Sequence, residues 1–169
     1  VKGAVRLNGG STSITTLTSN GDVTLSKGSA RVGTLNTKGN VSLENGGDSQ
    51  VTGVLSAEGD VTWGSAATAN IINANGNVIY KGANNKTVIN SVGNVTVEKP
   101  GSVKDITAMG DVFLQTGYGL GVEGRLLGGG KLSYTANNTA VAGKVKGVIS
   151  GPVLWPWSPV MNVTQDTSL

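Results

Sequence analysis

A five-residue unit returns along this chain at nearly constant spacing, and that recurrence restricts what the chain can fold into more than any other feature. The copies are Gly21-Asp22-Val23-Thr24-Leu25, Gly39-Asn40-Val41-Ser42-Leu43 and Gly59-Asp60-Val61-Thr62-Trp63, followed by Gly76-Asn77-Val78-Ile79-Tyr80, Gly93-Asn94-Val95-Thr96-Val97 and Gly110-Asp111-Val112-Phe113-Leu114. Their glycines are separated by steps of 18, 20, 17, 17 and 17 residues. An earlier copy, Gly3-Ala4-Val5-Arg6-Leu7, stands 18 residues before Gly21. A period of this length implies stacked units, each burying its apolar face against its neighbours.

Aligned on the glycine, the units fall into columns. Two residues on is always valine: Val5, Val23, Val41, Val61, Val78, Val95 and Val112. Four residues on stand Leu7, Leu25, Leu43, Trp63, Tyr80, Val97 and Leu114. Alternation of this kind has the period of a strand with one buried face. A second apolar column, four residues before the glycine, reads Leu17, Leu35, Leu55, Ile72, Ile89 and Ile106. Two before it the residues are small: Ser19, Thr37, Ala57, Ala74, Ser91 and Ala108. A weaker apolar position seven before holds Ile14, Val32 and Val103, but Ala69 and Lys86 in other coils.

Two or three short strands per repeat describe one turn of a β-solenoid. The glycines, the β-branched residues and the period of two exclude a helix. The expected fold is all-β: a single-domain, right-handed parallel β-helix of about nine coils over residues 1–151. Coils spaced about 4.8 Å apart would make a rod roughly 40 Å long. Beyond Gly110 the columns continue through Leu126, Gly128, Gly130, Leu132 and Tyr134, then thin out through Val145, Gly147 and Ile149. Residues 118–123 are read as an insertion that forms a loop or bulge.

Composition agrees with a narrow core and many turns. Apolar residues are 37% of the 169, aromatics only 4%, and 27 residues are glycine. The absence of cysteine excludes disulfides and thiolate metal sites, and the absence of histidine removes the commonest general base and metal ligand. The net charge of +3 comes from 13 scattered basic and 10 acidic residues, which do not make a nucleic-acid footprint. No apolar run is long enough for a membrane-spanning helix. The chain opens on Val1 inside a repeat, without a charged-then-apolar leader, so either a leader has been removed or the chain is an excised piece. A surface rich in Ser, Thr, Asn and Gly points to an extracellular setting.

Candidate chemistry is sparse. The residue after each glycine is Asp22, Asn40, Asp60, Asn77, Asn94 or Asp111. Asp and Asn tolerate left-handed backbone and bond to nearby amides, which suits a corner between strands. Mixing the two keeps like charges from stacking at one-coil spacing. Asp22 and Asp60 share the column two coils apart, a separation of about 9–10 Å that would suit inverting glycoside hydrolysis, but nothing distinguishes them from the other corner residues. Gly128-Gly129-Gly130-Lys131 does not match a calcium-binding solenoid repeat. The outward ladder Thr24, Ser42, Thr62, Thr96 is interrupted by Ile79 and Phe113, which weakens an ice-binding reading. No catalytic, cofactor or metal residues are expected, and the chain is expected not to be an enzyme.

Residues 152–169 differ in character. Pro152, Pro156 and Pro159 are three of the four prolines, and they stand among Leu154, Trp155, Trp157, Val160 and Met161. Proline cannot continue a central strand, so this segment is expected to cap the last coil or to dock onto another subunit. The candidate interface residues are therefore Val1 and Val5 at one end, and Leu154, Trp155, Trp157, Val160 and Met161 at the other.

Units such as Lys38-Gly39-Asn40-Val41-Ser42-Leu43 and Glu58-Gly59-Asp60-Val61-Thr62-Trp63 resemble the filamentous-haemagglutinin type of β-helix repeat, which is found in bacterial surface adhesins and in phage tail fibres and spikes. The resemblance spans roughly residues 3–134. It implies a rigid rod in an extracellular fibre, adhesin stalk or virion tail fibre, with no functional residues to carry over. The 17-residue coil also resembles bactofilins, which would imply a cytoplasmic scaffold polymerising end to end without nucleotide; bactofilin coils tend to be more charged. A polysaccharide-binding or polysaccharide-cleaving β-helix is the third reading. The expected partners are other copies of the chain, end to end or as a trimer. A cell-surface glycan or receptor is the second candidate partner.

Overall fold

The structure, a computed structural model, describes residues 1–8, 10–26, 28–43, 49–64, 68–82, 86–98, 102–114, 121–122, 126–130, 132–134, 151–153 and 161–163. Among them every regular element is a strand. In chain order these begin with β1 (Val5–Asn8), β2 (Ser11–Ser19), β3 (Val23–Ser26), β4 (Ser29–Thr37), β5 (Val41–Leu43), β6 (Gln50–Ala57) and β7 (Val61–Trp63). There follow β8 (Thr68–Ala74), β9 (Val78–Tyr80), β10 (Val88–Ser91), β11 (Val95–Val97), β12 (Ser102–Val103) and β13 (Asp105–Ala108). The last are β14 (Val112–Leu114), β15 (Gly121–Val122), β16 (Leu126–Gly128), β17 (Leu132–Tyr134), β18 (Gly151–Val153) and β19 (Met161–Val163).

The strands opened by the repeat valine stack as an eight-stranded parallel sheet in the order β1-β3-β5-β7-β9-β11-β14-β17. The Leu/Ile column builds a seven-stranded parallel sheet in the order β2-β4-β6-β8-β10-β13-β16. Each residue pairs with its own copy one coil away. Val23 lies opposite Val41, Val61 opposite Val78 and Val95 opposite Val112. Leu35 pairs with Leu55, Leu55 with Ile72 and Ile89 with Ile106. The chain is thus a parallel β-solenoid, and the repeat period is the contour length of one coil.

The alternation read from the sequence is the burial pattern. The valine and Leu/Trp/Tyr columns face inward and form one core with Leu35, Leu55, Ile72, Ile89 and Ile106. Each such side chain contributes about 1.5–3 kcal/mol on leaving water. Early coils run two sides of the turn as one long strand; β2 and β4 have nine residues each. The strand bends where the register shifts between Val32 and Leu35 and again between Val51 and Val54. At these bends Gly33 lies against the Thr15 carbonyl, and a Cβ on Gly53 would stand 2.7 Å from the Gly33 carbonyl.

Two expectations change. In the coil before Gly93 the weak third column is filled by Thr87, which is fully buried, and Lys86 is exposed. The inward position had shifted by one residue, because the length of the connecting loop is free while the buried ladder is not. The described stack holds eight rungs in one sheet and seven in the other, a length of about 34 Å. The ninth coil expected through Val145, Gly147 and Ile149 lies outside the described residues. Of the insertion at 118–123, Gly121–Val122 pairs in parallel with Ser102–Val103 as a two-stranded third side. The proline-rich segment contributes an antiparallel pair, with Pro152 opposite Asn162 and Val153 opposite Met161.

Candidate functional site

The corner after each repeat glycine is the most regular polar feature of the rod. From Asp22 to Asn94, each Asp or Asn side chain accepts a hydrogen bond from the backbone amide of its counterpart one coil further on. Asp22 Oδ1 accepts from Asn40 N at 2.7 Å, Asn40 Oδ1 from Asp60 N at 2.8 Å, and Asp60 Oδ1 from Asn77 N at 2.6 Å. Asn77 Oδ1 accepts from Asn94 N at 2.9 Å and Asn94 Oδ1 from Asp111 N at 2.7 Å. The side-chain amides of Asn40 and Asn77 also donate to the Asp below them, at 3.2 and 3.3 Å. No two aspartates occupy adjacent rungs, so Asp22 is stacked against neutral Asn40, and Asp60 between neutral Asn40 and Asn77.

This ladder explains the glycine. The repeat glycines do not occupy left-handed backbone; among the described residues Gly10 and Gly28 are the glycines that do. The Asp or Asn oxygen of the preceding coil instead fills the space where a Cβ would go. A methyl group on Gly39 would lie 2.5 Å from Asp22 Oδ1, and one on Gly93 2.7 Å from Asn77 Oδ1. The small column completes the corner. Ser19 Oγ donates to Gly3 O at 2.7 Å, Thr37 Oγ1 to Gly21 O at 2.6 Å and Ser91 Oγ to Gly76 O at 2.7 Å. The glycine amides are themselves paired along the stack, as with Gly76 N to Gly59 O at 3.1 Å. Asp22 and Asp60, the two acids in glycosidase-like register, are thus both engaged in backbone capping.

Beside this corner, where the Leu/Ile sheet turns, lies an open groove of about 380 Å³. It crosses β2, β4, β6 and β8, so it runs along the rod. One wall is the outward column Thr18, Asn36, Ser56 and Asn73; the other is the corner column Asn20, Lys38, Glu58 and Asn75. The buried small residues Ser19, Thr37 and Ala57 form its floor. These positions stand three and one residues before the glycine. They are legible as outward columns, but their polarity reads as ordinary solvated surface until the corner makes them concave.

Three of the expected interface residues fall among the described residues: Val1, Val5 and Met161. Val1 is 71% exposed and its amino group donates to Thr18 O at 2.7 Å. Val5 is half-buried opposite Val23. Met161 is placed by its pairing with Val153, and Leu154, Trp155, Trp157 and Val160 lie outside the described residues. No family model matches the chain, and no curated protein or solved structure matches it either.

Proposed function

We propose that the chain is a non-enzymatic structural rod, wound right-handed, which serves as a module of an extracellular fibre, an adhesin stalk or a virion tail fibre. The observation that carries this is the unbroken pairing of every copy of the repeat with the next, in two sheets at once. Bending such a rod would stretch both hydrogen-bond ladders, the Asp/Asn ladder at their junction and the stacked core together. Repeat stacks of this kind derive their stability from nearest-neighbour interfaces, which suits a load-bearing element of indefinite length.

Self-association is part of the proposal. Among the described residues β1 and β2 are terminal strands of their sheets, and Val5, Leu7 and Ile14 beside them are only partly buried. A terminal strand of a parallel sheet is a template for another coil, whether of the same chain or of a second copy. That observation also favours the second reading, a bactofilin-like scaffold polymerising end to end. Negative-stain electron microscopy of the purified chain separates the two. Short rods of uniform length or discrete trimers are expected for the fibre module, whereas long unbranched filaments would favour the polymer. Round particles without an axis would overturn both.

A further inference from the structure

We propose that the groove crossing β2, β4, β6 and β8 is a binding site for an extended, neutral, hydroxyl-rich chain, that is, an uncharged oligosaccharide lying along the rod axis. The walls carry the side-chain amides of Asn20, Asn36, Asn73 and Asn75 with the hydroxyls of Thr18 and Ser56. Each amide presents a donor and an acceptor together, which matches a pair of neighbouring hydroxyls on a sugar ring. Asn73 Oδ1 already accepts from Asn90 Nδ2 at 2.9 Å, which orients its NH2 group. The side chains of Asn20, Asn36, Ser56 and Asn75 make no hydrogen bond among the described residues.

Three properties select the ligand class. Lys38 and Glu58 are the charged side chains of the lining, one of each sign, so the groove offers no net charge to a polyanion or polycation. It runs across strands rather than along a free sheet edge, so an extended peptide has no ladder of amides to join. The wall residues repeat at the coil spacing of about 4.8 Å, comparable to the advance of one sugar ring in an extended chain. Four rungs span about 14 Å, the reach of a short oligosaccharide. In the next coils the corner column becomes Val92 and Met109, which ends the polar wall.

The test is a titration of ¹⁵N-labelled protein with cellotriose, maltotriose and chitotriose, reading the side-chain NH2 resonances. Shifts at Asn36, Asn73 and Asn75 with at least one of them are expected. The variant carrying both Asn36→Ala and Asn73→Ala should weaken that binding at least ten-fold while keeping the circular-dichroism spectrum. Ser56→Tyr, which fills the groove, should abolish it. No shift with any of the three sugars, undiminished affinity in both variants, or equal shifts with a neutral Gly-Ser peptide would each overturn the proposal. The rod reading stands or falls separately, on particle shape.

Discussion

At Gly76 a single added methyl group would be driven between two coils. It would meet Asp60 Oδ1 and stand 2.8 Å from Asp60 N and from the Gly59 carbonyl carbon, and backbone cannot swing aside as a side chain can. Gly76→Ala is therefore expected to destabilise the fold by about 1–3 kcal/mol, read as a lower urea midpoint. Gly3→Ala, at the same repeat position but with nothing within 4 Å of the added Cβ, should change stability by less than about 0.5 kcal/mol. A similar cost at both sites would show that backbone freedom, not close approach, is why glycine is there. Asn77→Asp tests the ladder's charge pattern, since it stacks a second carboxylate one rung from Asp60 and removes the donor that now reaches Asp60 Oδ1 at 3.3 Å. At about 4.8 Å in water the repulsion is worth about 1 kcal/mol. The deficit relative to the parent should be full at neutral pH and shrink in acid as the carboxyls take up protons, a trend that urea midpoints between pH 7 and pH 3 would follow. The Asp/Asn column was legible in the sequence as a corner that bonds to nearby amides. That the amide belongs to the next coil, and that the glycine makes room for the bond, depends on two residues some 17 apart lying in contact.

Within the coils, the core changes size without changing its pattern. The column that holds Leu25 and Leu43 holds Trp63 and Tyr80 in the next two coils, and all four are buried. The opposing third side shrinks at the same place. Val32 and Val51 pair in register, and the residue beside Val51 in the coil of Trp63 is Ala69. In the next coil Thr87 stands there, its hydroxyl meeting Tyr80 Oη at 3.0 Å and donating to Ala69 O at 2.5 Å. Gly82 is small for the same reason, since a Cβ there would run into the Tyr80 ring. Trp63→Ala would leave a cavity that the three-residue strands β5, β7 and β9 cannot collapse around, at an expected cost of about 3–5 kcal/mol in chemical denaturation. Tyr80→Phe keeps the ring and leaves Thr87 its bond to Ala69, so its cost should be about 1 kcal/mol. If the two substitutions cost the same, the ring volumes are not what the third side is matched to. Trp63 Nε1 is buried without a hydrogen-bond partner, so this coil accepts a polar penalty in return for filling its core. In the sequence Ala69 and Lys86 look like lapses in a weak column. They become intelligible once the neighbouring aromatic is known to point at that column, and once Thr87 replaces Lys86 as its member.

For the whole molecule, stability should follow position in the stack. Each coil has two neighbours except at the ends, and repeat proteins behave as sums of nearest-neighbour terms. Amide hydrogen exchange is therefore expected to be slowest in β5 through β11 and fastest in β1, whose inward Val5 and Leu7 are only partly buried. Uniform protection along the rod would mean that the chain unfolds as one unit and that the stack is not modular. The sequence by itself determined the period, the inward columns and the parallel pairing of each unit with its copy, because those depend on local alternation repeated at one contour length. It also determined that the corner would be built from Asp, Asn and Gly. Only the tertiary structure decided which amide each Asp or Asn caps, why glycine precedes it, where the third side bends or shifts by a residue, and that two outward polar columns meet as a groove. Those are contacts between residues a full coil apart, and they are fixed by how the turn closes on itself. Spacing along the chain does not encode the angle of that closure.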